Sequence, residues 1–129
     1  MKQEEDGTKT FFYDTYALFA ISLGQESYRK YESEVKIITT ITNLYELYYT
    51  LIQEDFYKEA EKFFDKFLPY CVEIEPENVK EAALFRLQNK KLNLSYVDAL
   101  GYIIAQKYNV LFLTGDDGFR KLSNVEFVK

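Results

Sequence analysis

Histidine is absent from this 129-residue chain, and cysteine occurs once, at Cys71. Without histidine there is no imidazole general base, no Ser/His or Cys/His nucleophile system and no histidine zinc site. A single cysteine excludes an intramolecular disulfide and a multi-cysteine zinc site, which fits a reducing compartment, so a cytoplasmic location is expected. No apolar run approaches the roughly 18 to 20 residues that cross a bilayer. The opening MKQEEDGTK is polar and lacks the apolar stretch of a signal peptide, so neither an anchor nor export is expected. If the chain catalyses a reaction, carboxylates are left to carry it.

Acids are present at four telling positions: Asp14, Glu46, Asp98 and Asp116 each stand at the polar end of an apolar or periodic segment. Asp14 closes the run Thr10-Phe11-Phe12-Tyr13, and Asp116 follows Val110-Leu111-Phe112-Leu113-Thr114-Gly115. Both would project from the carboxyl ends of buried strands, where open α/β sheets place their sites.

With 47% hydrophobic and 29% charged residues, the chain has the makings of one domain with a sizeable core. That domain is expected over residues 10–129, after a polar tail over residues 1–9. The pattern predicts strands at 10–13, 36–40, 71–74 and 110–114, with a further edge strand at 125–128. Helices are expected over 16–31, 42–53, 55–68, 76–89 and 95–108, a loop at 89–93 and a short helical turn at 117–122. Strands separated by helices pair in parallel through right-handed crossovers. The predicted fold is α/β, a three-layer α/β/α domain with a central parallel sheet of about four to five strands.

Each acid also has an ordinary explanation. Ser95-Tyr96-Val97-Asp98 reads as a capping box, Asp116-Asp117-Gly118 as a turn, and Glu46 as a solvated glutamate sharing a polar face with Thr42, Asn43 and Thr50. Asp14 is different, because an acid between two apolar runs costs free energy unless it is bonded or paired. Few folds need all four acids at once.

Four segments carry a resemblance: Phe12-Tyr13-Asp14-Thr15, Thr40-Ile41-Thr42-Asn43-Leu44-Tyr45-Glu46-Leu47, Leu94-Ser95-Tyr96-Val97-Asp98-Ala99-Leu100 and Leu113-Thr114-Gly115-Asp116-Asp117-Gly118-Phe119. In order and spacing, and in the terminal Thr-x-Asp-x-x-Phe, the chain from Thr10 to Lys129 resembles the PIN domain family, and within it the small nucleases typified by VapC toxins. The resemblance implies that Asp14, Glu46, Asp98 and Asp116 gather at the carboxyl edge of a parallel sheet, with Thr15 and Thr114 as supporting hydroxyls and Asp117 as a spare acid. It implies Mg²⁺ or Mn²⁺, hard cations that oxygen ligands suit, with Asp14 and Asp98 as principal ligands, Asp116 completing the shell and Glu46 holding water or a second ion. The implied activity is metal-dependent hydrolysis of RNA phosphodiester bonds. The implied partners are an RNA substrate, a second copy of the chain and a small antitoxin protein.

A net charge of -5 runs against the basic footprint of most nucleic-acid binders. Arg86, Lys90, Lys91, Arg120 and Lys121 are the cations expected near the relevant edge, and weak attraction suggests a structured or narrowly chosen RNA, or help from a partner. Twelve tyrosines and eleven phenylalanines exceed what a small core uses: most are expected in core and helix packing and the remainder in an interface, with the helix from Phe56 to Phe67 as its candidate. Competing readings are a silent scaffold module on the same fold and an RNA-processing nuclease outside any toxin-antitoxin pair. A haloacid-dehalogenase-type phosphatase would need an acid where Tyr16 stands, and the acid pair and late lysine of a response-regulator receiver are not evident.

Overall fold

In the computed structural model, which describes residues 9–33 and 35–129, Phe11, Phe12 and Tyr13 are each at most 3% exposed. A strand buried on both faces belongs in the middle of a parallel sheet covered by helices. That strand, β1 (Lys9–Tyr13), pairs in parallel with β2 (Val35–Ile38) on one side and β3 (Leu111–Thr114) on the other. Beyond β3 lies β4 (Val125–Phe127), also parallel, so the order is β2-β1-β3-β4. The chain leaves β1 toward one edge and β3 toward the other, so the gap between their carboxyl ends is the switch point of the sheet.

Alternation along the strands divides the core in two. Phe11, Tyr13 and Leu113 meet α1 (Thr15–Ser22), α2 (Ile41–Gln53) and α3 (Tyr57–Phe67) through Leu18, Leu44, Leu47, Leu51, Phe63 and Phe67. On the opposite face Phe12 and Phe112 stack with centroids 5.5 Å apart against Tyr102, Ile104 and Ala105 of α5 (Tyr96–Lys107). Phe85 of α4 (Pro76–Gln88) stacks on Tyr102 at 5.1 Å, which fixes α4 to α5. These are the three layers expected from the sequence, with four strands in the sheet. Among the described residues no helix is long and apolar enough to cross a membrane.

Several boundaries differ from the periodicity. The helix expected over 16–31 stops at Ser22, because Gly24 turns the chain at a φ of 70°, and a 3₁₀ turn over Glu26–Glu32 then buries Tyr28 and Tyr31. The strand expected at 71–74 reduces to one parallel bridge, Thr39 to Cys71. Its partner has run out at that point, since Thr40 already caps α2. The 89–93 loop contains a 3₁₀ turn, Lys90–Leu92, and the edge strand at 125–128 is the fourth strand. Phe63 and Phe67 are buried and Phe56 and Phe64 pack against the same core, so the phenylalanine stripe of α3 is spent inside the molecule. Of the expected tail, Lys9 belongs to β1 and residues 1–8 lie outside the described residues.

Candidate active site

The hydrogen bonds of β1 end where Asp14 begins. Its N–H donates to the Leu113 carbonyl at 3.3 Å, and its Oδ1 accepts from the Ala17 N–H at 2.9 Å, capping α1. The residue is 2% exposed. At the end of the neighbouring strand, the Thr114 hydroxyl donates to the Asp14 carboxylate and accepts from the Asp116 N–H at 3.0 Å. That one hydroxyl ties the ends of β1 and β3 together. Asp116 turns its Oδ1 to the Gly118 N–H at 3.0 Å, opening a 3₁₀ turn.

Asp98 comes from the opposite layer and occupies the first turn of α5. Its Oδ2 accepts from the Ser95 N–H at 2.9 Å while its own N–H donates to Ser95 Oγ at 3.0 Å, a closed capping box. Capping and membership of the acidic cluster therefore coexist: each of the three aspartates is anchored to local backbone through one oxygen.

Glu46 arrives from α2, and a chain of polar groups that the sequence reading did not assemble fixes it. The Thr40 hydroxyl donates to Asn43 Oδ1 at 2.6 Å, Asn43 Nδ2 donates to Thr15 Oγ1 at 3.2 Å, and the Thr15 hydroxyl donates to Glu46 Oε1 at 2.7 Å. Thr40 and Asn43 are buried, and Glu46 is half-buried rather than solvated. The sequence carried a signal for this relay, since Thr40 and Asn43 have the spacing of a helix cap.

Burial and crowding dominate the electrostatics. Desolvation pushes Asp14 up to about 8, against hydrogen bonds from Thr114 and Ala17 that favour its charged form, and the charges of Asp98 and Asp116 push it further. Burial also raises Asp98, with Asp116 adding to the effect, and raises Glu46, with Asp98 adding to it. Asp98 thus senses Asp116, and Asp14 and Glu46 both sense Asp98. Asp117 stands apart: it is exposed, and bonds from Lys129 and Arg120, both at 3.1 Å, hold its carboxyl below the usual range.

The PIN domain profile matches residues 11–125, nearly the whole described chain and all four acids. The chain belongs to the PIN domain family. No curated protein gives a match. Solved structures similar to this PIN domain include Mycobacterium tuberculosis VapC20, described as a sarcin-ricin loop cleaving toxin. It has a TM-score of 0.81 at 15% identity over 92% of this chain and 99% of that one. A toxin-antitoxin complex from Klebsiella pneumoniae reaches 0.70 at 14% identity over 89% and 94% of the two chains. VapBC2 from Rickettsia felis, bound to a DNA fragment from its promoter, reaches 0.69 at 18% identity over 93% and 99%. At these identities the likeness is one of fold.

The donor set of this PIN domain suits a hard divalent cation: carboxylates flanked by threonine hydroxyls, with no imidazole, and mutual repulsion that a cation relieves. Among the described residues no three Asp, Glu, Cys or His side chains already form a metal cage. Of the cations expected to serve the site, Arg120 is bonded to Asp117, and Arg86 donates to the Leu94 carbonyl at 2.7 Å and lies 4.0 Å from the Tyr96 ring.

Proposed function

We propose that this PIN domain is a divalent-metal-dependent ribonuclease that hydrolyses RNA phosphodiester bonds at the acidic pocket, and that it is the toxin of a toxin-antitoxin pair. The observation that carries the reading is Asp14, an almost fully buried acid at the sheet's switch point whose charge is opposed by Asp98 and Asp116. A structural role needs no such repulsion. The likeness supports the toxin assignment, since two of the similar solved structures are described as a toxin and a toxin-antitoxin complex.

Asp14 and Asp98 would hold Mg²⁺ or Mn²⁺, with Asp116 completing the set directly or through water. The bound cation would supply Lewis acidity toward the phosphoryl group and neutralise charge as the leaving oxygen departs. The chain's own residues do the positioning. Thr114 keeps Asp14 and Asp116 in register, and Thr15, steadied by Asn43, holds one oxygen of Glu46 and leaves the other to orient the attacking water or accept its proton. A second copy of the chain and a small antitoxin protein covering the acids complete the proposed assembly.

Mn²⁺ separates this reading from a silent module on the same fold. At about a hundred times its dissociation constant, Mn²⁺ should stabilise the wild type by roughly 2.7 kcal/mol through mass action. Asp98→Asn should lose most of that gain in a thermal melt. A wild type whose melting temperature ignores Mn²⁺ and which leaves RNA intact would favour the scaffold reading.

A further inference from the structure

The apolar periodicity of α2 sets Tyr45 beside Leu44 and Leu51 on the inward stripe. In the fold Leu44, Leu47 and Leu51 are buried, while Tyr45 is 70% and Tyr49 55% exposed. Tyr48, one turn over, is used differently: its hydroxyl bonds Glu61 and its ring stands edge-on to Phe64 with centroids 5.8 Å apart. Among the described residues neither Tyr45 nor Tyr49 meets another ring or a charged partner. Four residues apart on a helix, the two rings share one face and are offset by about 6 Å along the axis.

With Thr15, Glu46 and Thr50 these rings line a cleft of about 380 Å³. Thr15 and Glu46 are the last links of the polar relay, and Glu46 senses the charge of Asp98, so the cleft borders the acids through Glu46. Among the described residues no lysine or arginine lines the cleft. In a chain of net charge -5, with Arg86, Arg120 and Lys129 already engaged, a polyanion gains little hold here by charge. The cleft offers two flat, uncharged, solvent-facing rings beside hydroxyls. A nucleobase fits that chemistry, because stacking on aromatic side chains needs no phosphate neutralisation and tolerates any base that is free of its helix.

On the reading of the pocket as an RNA-cleaving site, we infer that Tyr45 and Tyr49 form a stacking platform that holds an unpaired nucleobase of the RNA next to the bond to be cut. The platform requires the base to be unpaired, as in a single strand or a loop with splayed bases. Duplex RNA keeps its base faces covered and is a poor ligand.

The test uses the full chain and a short single-stranded RNA carrying 2-aminopurine, whose fluorescence drops on stacking. Binding is followed in EDTA and cleavage in Mn²⁺, for the wild type and for Tyr45→Ala, Tyr49→Ala, Tyr45→Phe and Tyr49→Phe. Each alanine change should weaken binding by about tenfold or more and raise KM by a similar factor, with a much smaller change in kcat. The phenylalanine variants should restore both, since stacking needs the ring and not the hydroxyl. Annealing the RNA to its complement should remove the fluorescence change. Binding and KM that stay at wild-type values in both alanine variants overturn the platform and assign this face to a protein partner instead. A wild type that binds RNA in a ring-dependent way yet cuts none overturns the nuclease reading and leaves the platform standing.

Discussion

Asp14→Asn is expected to make the metal-free protein more stable at neutral and alkaline pH while removing its capacity to cut RNA. Burial raises the Asp14 carboxyl from 3.8 to about 8, so the native state resists its ionisation while the unfolded chain does not. The sign follows from proton counting. Between these two values the folded form binds more protons than the unfolded form, and stability falls as pH rises. Below 3.8 both states are protonated and no penalty exists; above about 8 both are ionised and the penalty is complete.

Asparagine carries no proton through this window. It caps a helix about as well as aspartate and still accepts a bond from the Ala17 N–H. In EDTA the variant should match the wild type near pH 4 and exceed it by on the order of 5 kcal/mol near pH 8. Urea unfolding at a series of pH values measures the divergence. Curves that stay parallel, or a variant weaker than the wild type at pH 8, would mean that Asp14 is not a desolvated carboxyl.

Gly115→Ala should be the most damaging alanine substitution among the described glycines. A Cβ at Gly115 would lie 2.3 Å from Tyr16 Cε1 and 2.4 Å from the Val128 carbonyl oxygen. The Val128 oxygen has no room to retreat: its residue is held by its N–H to the Thr114 carbonyl at 2.8 Å and by the Tyr28 hydroxyl on its own carbonyl at 2.7 Å. The backbone must shift instead, at a cost of about 3 kcal/mol or more, and Asp116 follows directly in the chain. Stability and cleavage should therefore fall together. Gly101→Ala is the informative control, since its Cβ would meet the Phe12 ring at 2.9 Å, a side chain that can yield slightly, so its loss should be smaller. Equal urea midpoints for Gly115→Ala and the wild type would contradict the crowding at the end of β3.

Much of this arrangement could be read from the chain alone, for a physical reason. The segment around Phe11-Phe12-Tyr13 is apolar on both faces and Asp14 is not, and that contrast marks a central strand together with the end where the acids gather. The capping box at Ser95 and Asp98 is equally local, and it formed as spaced. What stayed hidden depended on contacts between distant segments. Asn43 looked like part of a solvated face, yet it is buried because Thr15 from α1 meets it. The strand expected from Cys71 shrank to a bridge because β2 had already turned into α2 by Thr40. Asp116 and Asp117 were indistinguishable as neighbours in sequence. Lys129, twelve residues away, and Arg120 take Asp117, while Asp116 stays with Asp14 and Asp98.

The decisive measurement is cleavage of a mixed pool of structured and single-stranded RNAs in Mg²⁺ or Mn²⁺ by the wild type, Asp14→Asn and Asp98→Asn, each repeated in EDTA. The expected result is cutting by the wild type that stops in EDTA and falls by roughly a hundredfold or more in each near-isosteric variant. Cutting that persists in EDTA, or at wild-type rates in either variant, would contradict a metal-dependent nuclease site built on these acids.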